Sequence, residues 1–165
     1  MRVSRRETIG AGGVAAAMAL LWSSGSRNAD AAYPVSYSDA EWRKKLSPEA
    51  YRVLRHEATE PPFSSPLNKE HRAGTFACAG CALPLFSSRT KFDSGTGWPS
   101  FWAPLPHAVL TKSDYAIGYQ RTEVHCRRCG GHLGHVFDDG PPPTGKRYCM
   151  NGVALSFIPA KPAAS

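Results

Sequence analysis

The chain has 165 residues, a formal net charge of +7, 14 prolines, 15 glycines and 20% charged residues. This suits one domain plus a targeting segment, with many turns and little long helix. The basic charge is spread out: beyond Arg5-Arg6 and Arg127-Arg128, the longest Lys/Arg run is the three residues Arg43-Lys44-Lys45, which argues against nucleic acid as a partner.

Residues 1–31 read as an export signal. Arg2, Arg5 and Arg6 precede a mildly apolar run from Ile9 to Trp22, and small residues, Ala29-Asp30-Ala31, precede Ala32. Fourteen residues are too few for a comfortable membrane span. Ser4-Arg5-Arg6-Glu7-Thr8-Ile9 resembles the bacterial twin-arginine signal; an ordinary secretory signal and an uncleaved anchor are the alternatives. The mature domain, residues 32–165, is then expected in a periplasm with no stable membrane association.

Ser38-Asp39-Ala40-Glu41 is a capping box, and Trp42 with Leu46 forms an i, i+4 apolar pair. Ser47-Pro48 starts a second helix as N-cap and first residue. Helices are therefore expected over about 39–45 and 48–56. Residues 60–71 read as a loop wrapping the domain, and His56 and His71 as surface residues. From Gly74 the segments are short and rich in β-type residues, with strands expected at 75–77, 85–86, 108–111, 116–121, 123–125, 136–137, 147–150 and 154–157. The fold class is a mainly β, mostly antiparallel domain with short N-terminal helices.

Four of the five cysteines form two Cys-x-x-Cys pairs, Cys78/Cys81 and Cys126/Cys129. Two such pairs supply the four thiolates of a structural zinc site, which has no open coordination position for chemistry. Such a site counts as 2 − 4 = −2, so the charge left after residues 1–31 falls from +5 to near +3. Forty-four residues separate the pairs, so the metal staples two distant hairpins and contributes to folding. Twin-arginine export carries folded proteins, so the metal can be loaded before the oxidising compartment turns free pairs into disulfides. The competing reading, two redox-active pairs, lacks the βαβ context such motifs use.

Cys149 is left over. It lies near Arg147 and Asn151 and downstream of His132 and His135. Positive and hydrogen-bonding neighbours favour a reactive thiolate, whereas an isolated cysteine without such company is ordinarily buried structure. His107 and His125 have no such context and are taken as structural.

These residues fall within longer segments: Gly95-x-Gly97-Trp98-Pro99-Ser100-Phe101, Arg121-Thr122-Glu123-Val124, Gly131-His132-Leu133-Gly134-His135-Val136-Phe137-Asp138-Asp139-Gly140 and Gly145-x-Arg147-Tyr148-Cys149-x-Asn151. With the cysteine knuckles interleaved between them, residues 38–158 resemble the B-type methionine sulfoxide reductases. The resemblance implies two small antiparallel sheets, a β-tent, with short helices at the N-terminal end. It also implies thiol-dependent reduction of the R epimer of methionine sulfoxide, mainly within oxidised polypeptides, as protein repair and without an organic cofactor.

The chemistry such a reaction needs can be assigned residue by residue. Reducing a sulfoxide takes a nucleophile at sulfur, a proton at oxygen and an apolar pocket for the methyl group. Cys149 is the nucleophile and passes through a sulfenic acid. His132 and His135 are proton donors, and Asn151 orients a histidine or a water. Arg147 favours the thiolate, Asp139 holds Arg147 or a histidine, and Trp98 and Phe137 wall the methyl pocket.

Many members of that family carry a resolving cysteine where this chain has Thr96. With four cysteines committed to metal, Cys149 has no internal disulfide partner, so an external thiol, in a periplasm a thioredoxin-like protein, is expected to reduce it. A monomer is expected. Two other readings compete. A zinc-ribbon binding module without catalysis leaves Cys149 unexplained, and a Cys-x-x-Cys oxidoreductase would need no metal.

Overall fold

The computed structural model describes residues 33–161, so the signal reading over residues 1–31 lies outside the described residues. Two short helices come first. In α1, Asp39–Lys45, the Ser38 hydroxyl accepts from Glu41 N–H while Glu41 Oε2 accepts from Ser38 N–H at 2.9 Å, a complete capping box. In α2, Pro48–His56, Ser47 Oγ accepts from Ala50 N–H at 3.1 Å and Pro48 opens the helix. Both helices turn apolar faces inward, through Trp42 on α1 and through Tyr51, Val53 and Leu54 on α2.

Among the described residues nine strands follow: β1 Gly74–Cys78, β2 Pro84–Ser87, β3 Lys91–Phe92, β4 Ser100–Phe101, β5 Val109–Asp114, β6 Arg121–Cys126, β7 His132–Phe137, β8 Arg147–Met150 and β9 Leu155–Pro159. They form a three-stranded sheet, β2-β1-β9, and a six-stranded sheet, β3-β4-β8-β7-β6-β5. Every pairing is antiparallel. The fold class is the expected one, mainly β with two antiparallel sheets and short helices, although the second sheet is twice the size of the first.

Two differences from the sequence pattern have local causes. Strands β3 and β4 have two residues each, too few to leave a periodic signature. Over 116–121, where the pattern reads as a strand, the chain turns through residue 120 and only Arg121 joins a strand, as the start of β6. Asp114 Oδ1 accepts from Ala116 N–H at 2.8 Å, Gly118 N–H donates to Tyr115 C=O, and Gly118 adopts φ +86°. That backbone conformation favours glycine, and it makes 115–120 the tip of the β5–β6 hairpin.

Phe76, Phe86 and Phe101 are fully buried and join the sheets. Phe86 stacks on Phe101 with ring centroids 4.4 Å apart, and Phe76 meets Phe101 edge-on at 4.9 Å. Truncating such a ring to alanine costs about 3–5 kcal/mol. Leu133 and Met150, on the strands flanking the site described next, share this core.

Candidate active site

Cys149 lies in β8 between two antiparallel neighbours, directly opposite His135 on β7 and Ser100 on β4. Opposed residues in an antiparallel pair project to the same face, so the strand register itself brings the imidazole to the thiol. Close approach of β7 and β8 requires glycine at 134: a Cβ there would stand 2.1 Å from the Cys149 carbonyl oxygen.

A cleft of about 120 Å³ opens over this register, walled by Trp98, Phe137, His135, Cys149, Thr59 and Arg121, with Gly134 and Asn151 completing its lining. Trp98 is held by its indole N–H, which donates to Glu60 C=O at 3.1 Å. Glu60 is buried, and its carboxylate accepts from the N–H groups of Gly152 and Val153 just after β8. The loop carrying Thr59 and Glu60 is thereby latched beside the cysteine.

Burial pushes the Cys149 thiol above its ordinary range, and the Thr96 hydroxyl, the Arg147 guanidinium and Ser100 oppose that push. Thr96 Oγ1 is 3.8 Å from the sulfur and belongs to a hydroxyl chain, 2.8 Å from Ser94 Oγ, which is itself 2.8 Å from Ser100 Oγ. Arg147 donates two bonds to Asp139, at 2.9 and 2.8 Å, and packs 4.5 Å over the Phe137 ring. The fork holds the Asp139 carboxyl below its usual range and fixes the cation near the thiol.

Each histidine leans on a different carboxylate. His135 Nε2 donates to Asp114 Oδ2 at 2.8 Å, leaving Nδ1 without that bond. His132 donates from Nδ1 to Glu123 Oε1 at 2.8 Å, and its buried Nε2 has no partner among the described residues. The two rings are 5.4 Å apart. Burial lowers the His135 pKa and Asp114 partly offsets this. Asp114 is held well below the carboxylate range by Ala116 N–H, His135 and Arg121. Lys112 braces Glu123 from outside at 2.9 Å.

The structure brings Cys149, His135, Trp98, Phe137 and Asn151 together around the cleft, with His132 against His135 and the Arg147–Asp139 pair beside Phe137. Asn151 bonds to backbone on both sides: Oδ1 accepts from Glu60 N–H at 2.9 Å and Nδ2 donates to Leu133 C=O at 3.1 Å. It ties the loop to the sheet at the edge of the cleft, while the side-chain bonds of His132 and His135 go to Glu123 and Asp114. Thr59, Glu60 and Asp114 escape sequence reasoning because their partners lie far along the chain, although the Arg121-Thr122-Glu123-Val124 segment does mark Arg121 and Glu123. His56 and His71 are exposed, His125 is buried and His107 sits in an exposed turn.

Away from the cleft, Cys78, Cys81, Cys126 and Cys129 bring their sulfurs within 4.8 Å of one another. The Cys78–Cys129 and Cys81–Cys126 sulfurs are 3.7 and 3.5 Å apart. Zinc–sulfur bonds of about 2.3 Å at tetrahedral angles need sulfurs roughly 3.8 Å apart, so the set fits such an ion. Each knuckle is closed by a backbone bond, Ala82 N–H to Cys78 C=O and Gly130 N–H to Cys126 C=O, both 2.8 Å. One knuckle follows β1 and the other joins β6 to β7, so a bound metal clips the small sheet to the large one.

The chain matches the SelR domain family over residues 46–159, a span holding the cleft and all five cysteines. It is 52% identical over 126 residues to the peptide methionine sulfoxide reductase MsrB of Leptospira interrogans, covering 76% of this chain and 96% of that protein. To the MsrB of Pseudomonas putida strain W619 it is 57% identical over 120 residues, 72% of this chain and 90% of that protein. To that of Methanosarcina barkeri it is 54% identical over 124 residues, 74% and 87%. With the cysteine-bearing cleft and the four-cysteine cluster in place, the chain belongs to the SelR family of peptide methionine sulfoxide reductases of the MsrB type.

Proposed function

We propose that this oxidoreductase reduces the R epimer of methionine sulfoxide in oxidised polypeptides through a sulfenic acid on Cys149. Reduction of peptide methionine sulfoxide at the expense of a thiol follows from the family. The observation that supports the assignment to Cys149 is its register opposite His135 in a cleft walled by Trp98 and Phe137.

In this reading the substrate methyl lies against Trp98 and Phe137. With His135 Nε2–H engaged by Asp114, Nδ1 carries the lone pair, takes the Cys149 proton and passes it to the sulfoxide oxygen. His132 has its Nδ1–H held by Glu123, so its buried Nε2 can donate to that oxygen in the imidazolium form. The Cys149 sulfur attacks the substrate sulfur and ends bearing the oxygen. Thiol plus sulfoxide gives sulfenic acid plus sulfide, two electrons passing from Cys149 to methionine. Two external thiols then release water and form a disulfide, restoring Cys149; a thioredoxin-like protein is the reductant we propose.

The four cysteines hold zinc in a closed structural site. The spacing of the sulfurs supports that ion, and no step passes through it. Arg5-Arg6 supports twin-arginine export to a periplasm, with cleavage after Ala31 releasing the domain.

The test uses the separated epimers of a dabsylated methionine sulfoxide with dithiothreitol, comparing wild type and Cys149→Ser. Turnover of the R epimer alone, abolished in Cys149→Ser, is expected. Equal turnover by the variant would overturn the assignment.

A further inference from the structure

The tip of the β5–β6 hairpin is apolar without a structural reason. Tyr115, Ile117 and Tyr119 are 63%, 51% and 61% exposed, and 115–120 contains no charged residue. The turn itself needs only Asp114 and Gly118, so polar residues would serve at the other positions. Single exposed apolar residues are ordinary, but three within five positions are not.

Position gives the tip its meaning. A groove lined by Tyr119, Gln120, Arg121, Thr122, Val136, Phe137 and Asp138 leads away from it. Arg121 and Phe137 also wall the cleft over Cys149, so groove and cleft share two lining residues. On the other bank, Phe63 is 71% exposed. Its N–H donates to Gly97 C=O at 2.7 Å, which places it beside Trp98. Apolar groups therefore flank the cleft on both sides.

One carboxylate joins the tip to the chemistry. Asp114 Oδ1 holds the turn through Ala116 N–H, while Oδ2 receives Arg121 at 2.6 Å and His135 at 2.8 Å. The tip is thus held in a fixed position relative to the histidine facing Cys149.

We propose that Tyr115, Ile117 and Tyr119 form a docking rim for the apolar residues flanking methionine sulfoxide in an unfolded polypeptide. The inference rests on the reductase reading and deepens it by naming the substrate class. The cleft, at about 120 Å³, has room for one side chain, so neighbouring residues of a peptide must lie outside it, along the groove or against Phe63. Aromatic side chains recognise such segments well because they bring large contact area at low entropic cost. A folded, polar surface around a methionine would gain nothing there.

The experiment compares three substrates: a peptide with methionine (R)-sulfoxide between Leu, Phe and Val residues, an equally long peptide with Ser and Asn flanks, and N-acetylmethionine sulfoxide. Wild type is expected to prefer the apolar peptide over the polar one by roughly tenfold in kcat/KM, the effect of one well-buried apolar contact. The triple variant Tyr115→Ser/Ile117→Ser/Tyr119→Ser should lose that preference through KM, with kcat unchanged. Its kinetics on N-acetylmethionine sulfoxide should stay within about twofold of wild type, which also shows that the variant is folded. A wild type that treats both peptides alike, or a variant slowed equally on all three substrates, overturns the rim while leaving the reductase reading intact. Wild type inert on all three overturns that reading. A concentration-dependent dimer in sedimentation, lost in the variant with peptide kinetics unchanged, gives the patch to a second copy and overturns the proposal.

Discussion

The Thr96 hydroxyl lies 3.8 Å from the Cys149 sulfur, and the other four cysteines sit together with sulfurs within 4.8 Å of one another. No second thiol stands beside Cys149. One turnover without reductant should therefore consume one thiol per chain and leave a sulfenic acid that dimedone labels. Thr96→Cys should consume two thiols and give a disulfide between positions 96 and 149, read by mass spectrometry without reduction. A wild-type disulfide involving Cys149 would refute the external-thiol route.

Arg147 lowers a thiol that burial raises. Replacing it in Arg147→Met keeps much of the packing over Phe137 but removes the charge. The thiolate becomes harder to form, so the rise of kcat/KM with pH should move to higher pH. Activity near neutrality should fall on the order of tenfold and recover as the solution becomes alkaline. A variant profile that is lower but unshifted would assign Arg147 to substrate binding instead.

Buried Glu123 supports His132 and is braced by Lys112. Burial pushes its carboxyl up, but the bonds to His132 and Lys112 overcome that and leave it below its usual value. A depressed folded pKa contributes stability that is present above the unfolded pKa, near 4.5, and lost as pH falls through the folded value. Glu123→Gln should cost about 1–3 kcal/mol at neutral pH, with the gap to wild type narrowing in acid. Urea unfolding at several pH values measures both.

Stripping metal from the four cysteines should do more than lower the melting temperature. Zinc in such sites contributes about 10–16 kcal/mol to folding, comparable to a domain's whole stability of about 5–15 kcal/mol. Chelation should therefore unfold the domain, seen by near-ultraviolet circular dichroism in step with loss of one zinc per chain. Full activity and native spectra in a metal-free protein would show that the sheets hold without the clip.

The helices were legible because Ser38, Glu41, Ser47 and Pro48 act on near neighbours, and local hydrogen bonds write local signatures. The four-cysteine cluster was legible because paired Cys-x-x-Cys motifs have few other uses, and Cys149 stood out as the one cysteine left over. What stayed hidden was distance. Asn151 braces Glu60 across 91 residues and Asp114 reaches His135 across 21, and no spacing rule connects such pairs. The run 116–120 carries strand-forming residues, yet Gly118 and the Asp114 side chain make it turn, and the apolar residues there remain in solvent. The leader reading is carried by sequence alone: Arg2, Arg5 and Arg6, the apolar run from Ile9 to Trp22, and the small residues before Ala32.

The order in which the chain is made bears on the metal clip. Cys129 follows Cys81 by 129 − 81 = 48 residues, roughly 2–10 s of synthesis. During that interval the first pair has only one another as partners, because the second pair does not yet exist. The ribosome thus sets a minimum waiting time during which half of the clip is exposed to oxidation. A reducing birthplace protects those two sulfurs until the remainder of the cluster emerges.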